Sequence, residues 1–176
     1  MATERNKTTK ALQTAIQMEI DGKEYYLKAS QVSSNELGKK LLKSLASEED
    51  THRKMFEQIF EAIRNKKTWP QTDIHLDGGQ ALRTIFAKAT KELGTNVKVI
   101  PDELDAVQGA MAMENKSYDF YESQIKTAAY DAEKDYYKAL AAQERKHYIV
   151  LLDYYEYLKD PAAWFVEKEH PSLDGG

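Results

Sequence analysis

The chain of 176 residues contains no cysteine. Disulfides, iron–sulfur clusters, thiolate zinc sites and thiol catalysis are therefore excluded within this sequence. The net charge of -4 shows no basic excess, so nothing points to nucleic acid or to an anionic membrane as a partner. No apolar run approaches the roughly 18 residues of a membrane span, and the first ten residues lack the apolar stretch of a signal peptide. We therefore expect a cytoplasmic protein that binds neither nucleic acid nor membrane.

Glycine and proline are also scarce, with 8 and 4 residues, whereas alanine, leucine, glutamate and lysine are abundant. This composition favours helix. Ser33 and Glu36 have the spacing of a capping box at the start of a helix, and Pro101 stands where another helix begins. Apolar periodicity predicts four long helices, over about residues 8–32, 35–64, 102–129 and 131–159.

A long connection, residues 65–100, separates the second and third predicted helices. It contains Trp69-Pro70 and Gly78-Gly79, both typical of loops, and a short helical stretch at about residues 80–93. Its length suits a crossover between opposite ends of a bundle, while the short turns inside each half predict antiparallel hairpins. The sequence therefore predicts an all-α four-helix bundle of two antiparallel hairpins joined by a long crossover.

The expected domain organisation is a single bundle with short tails at both ends. The bundle is expected to occupy residues 8–166, with its crossover at residues 65–100. Residues 1–7 are expected to form an N-terminal tail and residues 167–176 a loosely ordered C-terminal tail.

One arrangement of glutamate and histidine occurs twice in the chain. Each copy has a lone glutamate followed 30 residues later by a Glu-x-x-His motif, and every member of the second copy lies 95 residues after its counterpart. Four carboxylates and two imidazoles in this order are what a four-helix bundle needs to hold two metal ions in its interior. The predicted ligands are Glu19, Glu49, His52, Glu114, Glu144 and His147.

The predicted ligands occupy positions where apolar core residues would normally stand. In the second helix a seam with alternating steps of three and four residues runs from Leu42 to Ile63 and includes the Glu-x-x-His motif. The fourth helix repeats this seam from Tyr137 to Leu158. Each ligand glutamate lies about 15 residues from the turn of its hairpin, so the rise of the helix puts all six side chains at one height.

Four carboxylates in a dry layer would repel one another unless protons or cations neutralised them. Two divalent ions would balance the four negative charges, and the Glu-x-x-His spacing puts both side chains on one helical face. We expect each ion to bind one histidine nitrogen and carboxylate oxygens, with two carboxylates bridging. Nitrogen and oxygen ligands without sulfur favour two iron ions, with manganese and zinc as substitutes.

Two pairs of side chains repeat beside the predicted ligands. Tyr26 and Tyr121 each lie seven residues after a lone glutamate, on the same helical face. We expect their hydroxyls to donate hydrogen bonds to the carboxylates, with simple core packing as the alternative. Gly22 and Ser117 lie three residues after each lone glutamate, where they either leave space for a small oxidant or let helices approach.

Several other side chains have ordinary structural interpretations. The tyrosines among residues 154–157 are expected to pack in the core or at a subunit contact. Side chains expected on the protein surface are those of Glu48, Asp50, His75 and His170.

The chain resembles the ferritin-like superfamily, and within it most of all the rubrerythrin group, over about residues 12–158. The resemblance rests on the two copies of Glu…Glu-x-x-His, which match the di-iron ligand pattern of the superfamily one by one. It implies a ferritin-like bundle that holds two iron ions. Rubrerythrins reduce hydrogen peroxide at such a centre under oxidative stress, while ferritin and bacterioferritin relatives oxidise and store iron.

Two departures from the rubrerythrin pattern bear on the reaction. The four cysteines of the rubredoxin domain do not occur in this sequence, so we expect an external electron donor such as a rubredoxin-like protein. Rubrerythrins also carry an additional glutamate three residues after the third-helix ligand, where this chain has Ser117. Gly22 stands at the equivalent place in the first helix, so the redox-linked ligand exchange associated with that glutamate has no side chain here.

Three functions are compatible with these residues. The first is a di-iron oxidoreductase that reduces hydrogen peroxide or dioxygen. The second is a ferroxidase or iron-storage protein, and the third is a bundle whose metal ions serve only its stability. Storage requires a closed cage, whereas we expect a homodimer of about 40 kDa, because one chain weighs 20.2 kDa.

Overall fold

The computed structural model describes residues 2–66, 68–70, 79–98 and 100–169, and these ranges contain six α-helices and no strand. None of the helices in these ranges has both the length and the apolar character that crossing a membrane requires. In chain order the helices are α1 (Ala2–Val32), α2 (Glu36–Lys66), α3 (Gln80–Leu93), α4 (Pro101–Thr127), α5 (Asp131–Lys159) and α6 (Pro161–Glu169).

The contacts between the four long helices define two antiparallel hairpins. Short turns join α1 to α2 and α4 to α5, and the two helices of each pair pack against each other. Across the hairpins, Tyr26 contacts Glu114 whereas Tyr121 contacts Glu19, so residue numbers rise along α1 as they fall along α4. Since α1 and α4 are antiparallel, α2 and α4 are parallel, and a crossover must connect their opposite ends. The predicted all-α bundle is confirmed.

Two apolar clusters fill the bundle on either side of a polar layer. The first, on the side of the α1–α2 turn, includes Leu42 and Leu151, and the second, on the far side, includes Phe56 and Leu140. Helix α3 of the crossover packs Phe86 into the first cluster. The seams predicted for α2 and α5 therefore do line the core, and their glutamates and histidines lie where the two clusters meet.

Helix α1 begins at Ala2, so the predicted tail of residues 1–7 is wrong for the described part of that range. The guanidinium of Arg5 donates a hydrogen bond of 3.0 Å to the carbonyl of Arg64 near the end of α2, and Thr8 is buried. The first two turns of α1 are polar and carry no apolar periodicity. The contact of Arg5 with α2 accompanies the extension of α1 toward its N-terminus, and the sequence pattern does not reveal this contact.

The sequence pattern does not predict helix α6, because Asp160-Pro161 directly after the fourth predicted helix is typical of a helix end. In the structure the carboxylate of Asp160 accepts a hydrogen bond of 2.9 Å from the backbone N–H of Ala163, and Pro161 occupies the first helical position. The pair therefore ends α5 and begins α6, whose Trp164 packs against the first apolar cluster. The helix passes the predicted tail boundary at residue 167, and residues 170–176 lie outside the described residues.

The turn between α1 and α2 is capped differently from the prediction. Asn35 is the N-cap of α2, because its side-chain oxygen accepts a hydrogen bond of 2.8 Å from the N–H of Gly38. The hydroxyl of Ser33 instead donates to Glu103 at 2.5 Å. The predicted capping box of Ser33 and Glu36 is therefore wrong.

Glu103, in the first turn of α4, is a buried carboxylate that joins the two hairpins. Its two oxygens accept five hydrogen bonds of 2.5–3.2 Å, and such donors offset the cost of burying a charged group. Four of them come from the α1–α2 turn and one comes from α5. The donors are the hydroxyl of Ser33, the N–H and hydroxyl of Ser34, the amide of Asn35 and the hydroxyl of Tyr154.

We expect Glu103→Gln to destabilise the protein. The amide nitrogen of glutamine is itself a donor, so it could not accept the hydrogen bonds that one carboxylate oxygen now accepts. The expected loss is about 2–3 kcal/mol in the free energy of unfolding. Urea unfolding followed by circular dichroism, with a chelator present to remove any metal contribution, measures it. Asp105→Asn, at an exposed position of the same helix, is the control and should change stability by less than about 0.5 kcal/mol. Equal losses in the two variants would show that the network contributes nothing specific.

Candidate metal centre

The six predicted side chains meet in one layer between the two apolar clusters. No more than 4% of any of these residues is exposed. The lone glutamates come from α1 and α4, and the Glu-x-x-His motifs come from α2 and α5. The residues of this layer, which we call the carboxylate layer, are Glu19, Glu49, His52, Glu114, Glu144 and His147.

The carboxylate layer consists of two groups of four residues that overlap in two members. Within each group the potential ligand atoms lie within 4.8 Å of one another. Glu49 and Glu144 belong to both groups. Glu19 and His52 complete the first group, and Glu114 and His147 complete the second.

The two shared glutamates each direct one oxygen toward each histidine. Glu49 has Oε2 4.0 Å from Nδ1 of His52 and Oε1 3.5 Å from Nδ1 of His147. Glu144 has Oε1 3.6 Å from Nδ1 of His52 and Oε2 3.8 Å from Nδ1 of His147. The two imidazole rings are nearly parallel, with centroids 5.9 Å apart. This arrangement suits two carboxylates that bridge a pair of metal ions.

The two remaining glutamates each face only one histidine. Glu19 has Oε2 3.5 Å from Nδ1 of His52, and Glu114 has Oε1 3.5 Å from Nδ1 of His147. Both distances exceed those of an ordinary N–H···O hydrogen bond. Each of these glutamates is therefore placed to bind a single ion at its own end of the pair.

The carboxylate layer leaves one buried atom without a hydrogen-bond partner on each of its six residues. A buried polar atom without a partner is costly, and six in one layer are not explained by packing. Oxygen and imidazole nitrogen are the donor types that divalent transition metals accept, so the residues fit a pair of metal ions. The six atoms are Glu19 Oε2, Glu49 Oε1, His52 Nδ1, Glu114 Oε2, Glu144 Oε1 and His147 Nδ1.

Burial and neighbouring groups shift the pKa values of the four carboxylates in opposite directions. Burial, together with the charge of the neighbouring Glu19, raises the pKa of Glu49 well above its usual value. Burial and the charge of Glu114 do the same to the pKa of Glu144. Burial opposes ionisation of Glu19 and Glu114 too. The pKa of each is nevertheless lowered, because hydrogen bonds and a nearby imidazole favour its charged form.

One imidazole also responds to this environment. Burial would lower the pKa of His147, but the charge of Glu114 and hydrogen bonds to surrounding carboxylates outweigh it and raise this pKa well above its usual value. A metal ion at Nδ1 must therefore displace a proton.

Tyr26 and Tyr121 hold the two outer carboxylates across the bundle. Tyr26 of α1 donates a hydrogen bond to Oε1 of Glu114, and Tyr121 of α4 donates one to Oε1 of Glu19. Both tyrosines are fully buried, and burial and these carboxylates raise the pKa of each phenol well above its usual value. The structure shows the predicted hydrogen bonds, and they leave Oε2 of each carboxylate without a partner.

Glu48 and Asp50 are not the exposed side chains that the sequence predicts. The carboxylate of Glu48 accepts a hydrogen bond of 2.9 Å from Nε2 of His147 and is 19% exposed. Asp50 is 18% exposed, and its ion pairs on the outer side of α2 include one of 2.8 Å with Lys23. The sequence did not indicate this role of Glu48, because the residue next to a core-facing glutamate is expected to point toward solvent. Only the packing of the two hairpins brings Glu48 against α5.

Gly22 and Ser117 are the small residues beside the layer. A Cβ atom added at Gly22 would lie 3.5 Å from Cγ of Glu49, which is ordinary van der Waals contact, so the helix spacing here does not require a glycine. Ser117 is half-buried. Tyr154 and Tyr157 pack in the core, as one of the two interpretations expected. His75 and His170 lie outside the described residues.

Two helical hairpins that each direct a glutamate and a Glu-x-x-His motif into one buried layer define the class of ferritin-like four-helix bundles with a carboxylate–histidine metal site. The chain matches the rubrerythrin family over residues 10–155 and belongs to that family. Among solved structures it is similar to a hypothetical protein from Pyrococcus furiosus, with 21% identity and a TM-score of 0.61. That match covers 86% of this chain and 90% of the other, and it shows a shared fold. No curated protein matches the chain.

We expect Tyr121→Phe to weaken metal binding, because Glu19 would lose the hydroxyl that orients it. The expected loss is about tenfold in the affinity of one of two metal ions, measured by titration against a chelating indicator. Tyr26→Phe should weaken the other ion to a similar extent. Tyr155→Phe, which removes a hydroxyl that accepts from Gln108 at the surface, is the control. Unchanged affinities in the two core variants would contradict the assigned role.

Metal loading should release protons, because Glu49, Glu144 and His147 have raised pKa values in the metal-free protein and must give up protons to bind metal. We expect roughly two to three protons per pair of divalent ions, detected with an indicator dye in weakly buffered solution. Because protons compete with metal for these groups, the metal affinity should rise with pH. An affinity that stays constant with pH would show that these groups are not displaced.

Proposed function

We propose that the protein is a rubrerythrin-like oxidoreductase that holds two iron ions and reduces hydrogen peroxide or dioxygen with electrons from an external donor. The observation that carries this proposal is the set of six buried ligand atoms without partners, arranged in two overlapping groups. In this proposal Glu49 and Glu144, which belong to both groups, would contribute to holding both ions. Glu19 and His52 would complete the set for one ion, and Glu114 and His147 the set for the other.

The choice of iron is supported by the donor set and by the family. Carboxylate and imidazole ligands without a thiolate suit iron, and manganese and zinc can occupy the same donors. When bound, a pair of ferrous ions would supply the two electrons that reduce the oxidant. Elemental analysis of protein purified without added metal identifies the ion that the site selects.

The protein's own residues would keep the site dry and its ligands in place. The apolar clusters above and below the carboxylate layer exclude water, which strengthens every electrostatic interaction inside it. The hydroxyls of Tyr26 and Tyr121 fix the outer carboxylates in orientation. Reduction of one peroxide to two waters consumes two protons and two electrons, so both must be resupplied from outside the layer.

The electron donor is proposed to be a separate protein or small reductant, because the chain has no cysteine with which to bind a redox centre of the rubredoxin type. A rubredoxin-like protein is the expected donor. We further propose a homodimer of about 40 kDa, since one chain weighs 20.2 kDa, and light scattering of the metal-loaded protein tests this mass.

The activity is tested by loading anaerobic protein with two equivalents of ferrous iron and mixing it with hydrogen peroxide in a stopped-flow instrument. A fast absorbance change in the near ultraviolet, at one peroxide per two iron ions, is expected. His147→Ala should bind one ion fewer and slow the fast phase at least about tenfold, because no neighbouring side chain can replace the lost imidazole ligand. Glu57→Gln, at a partly exposed position of α2 where Glu57 pairs with Arg53, should behave as the parent.

Other outcomes of the same experiment identify the competing functions. Oxidation that is fast with dioxygen, slow with peroxide and accompanied by a particle much larger than a dimer would indicate iron storage. Protein that binds two ions and stays inert to both oxidants would show that the ions serve only stability. Equal metal content in His147→Ala and the parent would contradict the ligand assignment itself.

A further inference from the structure

The two sequence repeats differ at the residue just before each shared glutamate. Glu48 precedes Glu49, and Gln143 precedes Glu144, at positions 95 residues apart. Each stands four residues before the histidine of its own helix. A carboxylate in one repeat therefore corresponds to an amide in the other, immediately outside an otherwise matching set of ligands.

Both side chains converge on one histidine. Oε2 of Glu48 accepts a hydrogen bond of 2.9 Å from Nε2 of His147 and another of 2.7 Å from the amide nitrogen of Gln143. The amide nitrogen and Nε2 lie 3.2 Å apart, as two donors that share one acceptor do. Gln143 is 3% exposed and His147 is fully buried, so this contact forms inside the bundle.

The contact determines which nitrogen of His147 can bind a metal ion. When Nε2 carries the hydrogen that Glu48 accepts, Nδ1 keeps its lone pair. Nδ1 is the atom that faces Glu49 and Glu114 at 3.5 Å. A carboxylate on the outer nitrogen also makes the imidazole a stronger electron donor at the inner nitrogen.

His52 lacks an equivalent contact. In the part of the chain that the structure describes, no side chain hydrogen-bonds to its Nε2, although its Nδ1 faces three carboxylates just as that of His147 does. The outer nitrogen of His147 therefore faces a carboxylate, and His52 has no such hydrogen bond among the described residues.

We propose that Glu48 is a positioning residue that makes the two metal positions unequal, so that the position of Glu114 and His147 fills first and binds more tightly than that of Glu19 and His52. This rests on the proposed function only in taking the carboxylate layer as a two-metal site. It is independent of iron, peroxide and the electron donor.

The inequality is tested with Co(II), whose visible bands report each ion as it binds, by anaerobic titration of the full chain against a competing chelator. Two resolved steps are expected in the parent, with the first at least about tenfold tighter. A crystal grown with one equivalent of Co(II) should show anomalous density beside His147. Equal steps, or first occupancy beside His52, would overturn the proposal.

Glu48→Gln keeps the shape of the side chain and removes its charge. Its first step should weaken about tenfold while the second stays unchanged, so the two steps merge. Glu48→Leu, which removes the acceptor altogether, should merge them as well. Glu57→Gln makes the same change at a partly exposed position of α2, away from the carboxylate layer, and should keep both steps. Steps that stay separate in both Glu48 variants would overturn the role of Glu48.

Further readouts distinguish this role of Glu48 from a purely structural role and from the proposed peroxide or dioxygen reduction. A structural role alone would lower the melting temperature of the metal-free Glu48→Gln protein and weaken both steps together, which would overturn the proposal. Failure of the parent to bind any Co(II) would overturn both this proposal and the metal centre. Inert behaviour toward peroxide with unequal Co(II) steps would contradict the proposed function and support the present one.

Discussion

Burial of four carboxylates and two imidazoles in one dry layer is the constraint on which the rest of the structure depends. Charges at this depth are tolerated only with partners, and the protein supplies them from several sources. Two tyrosine hydroxyls donate hydrogen bonds across the bundle to the outer glutamates. Burial and the charge of a neighbouring carboxylate raise the pKa of Glu49 and of Glu144, which favours their neutral forms. These partners still leave one atom per residue unsatisfied, all in the same layer. The apolar side chains of the core are therefore well packed, whereas its polar groups lack hydrogen-bond partners. This combination is expected of a binding site for cations.

A layer of this kind requires the helices to keep their register, and the two ends of the bundle show how that is achieved. Glu103 accepts hydrogen bonds from the α1–α2 turn, and Glu133 accepts one of 2.9 Å from the backbone of Ala129 in the α4–α5 turn. Neither glutamate has a glutamate at the equivalent position of the other repeat, 95 residues earlier. The equivalent of Glu103 is Thr8, which hydrogen-bonds to Glu133. The equivalent of Glu133 is Gly38, where an added Cβ would lie 2.8 Å from Oε1 of Glu103. Each turn thus contacts one buried carboxylate, which belongs to α4 at one end of the bundle and to α5 at the other. These contacts fix both turns relative to the carboxylate layer.

The fold and the six residues of the layer were accessible from sequence because each depends on spacing along a helix. Apolar seams with a period of about 3.6 residues identify the long helices, and equal distances from each turn place the glutamates at one height. The features that sequence missed depend instead on contacts between helices. The first turns of α1 have no apolar pattern of their own, and Asp160-Pro161 starts α6 as well as ending α5. Glu48 illustrates the same limit, because its position on α2 is compatible with solvent or with α5, and only the packing of the two hairpins brings it to His147.

Charge balance connects the missing glutamate of the rubrerythrin pattern with the chemistry that the site can support. Four carboxylates neutralise two divalent ions, but oxidation of both ions would leave two positive charges in a medium of low dielectric constant. An additional glutamate would offset one of them, and Gly22 and Ser117 cannot. The compensating negative charge must then come from the reaction itself or from outside the ligand set. Glu48 is the fifth carboxylate of the region and lies one hydrogen bond behind His147, so it can offset part of that charge at one ion and not at the other. The two ends of a site built from matching repeats therefore differ in their electrostatic surroundings, although its six ligands match.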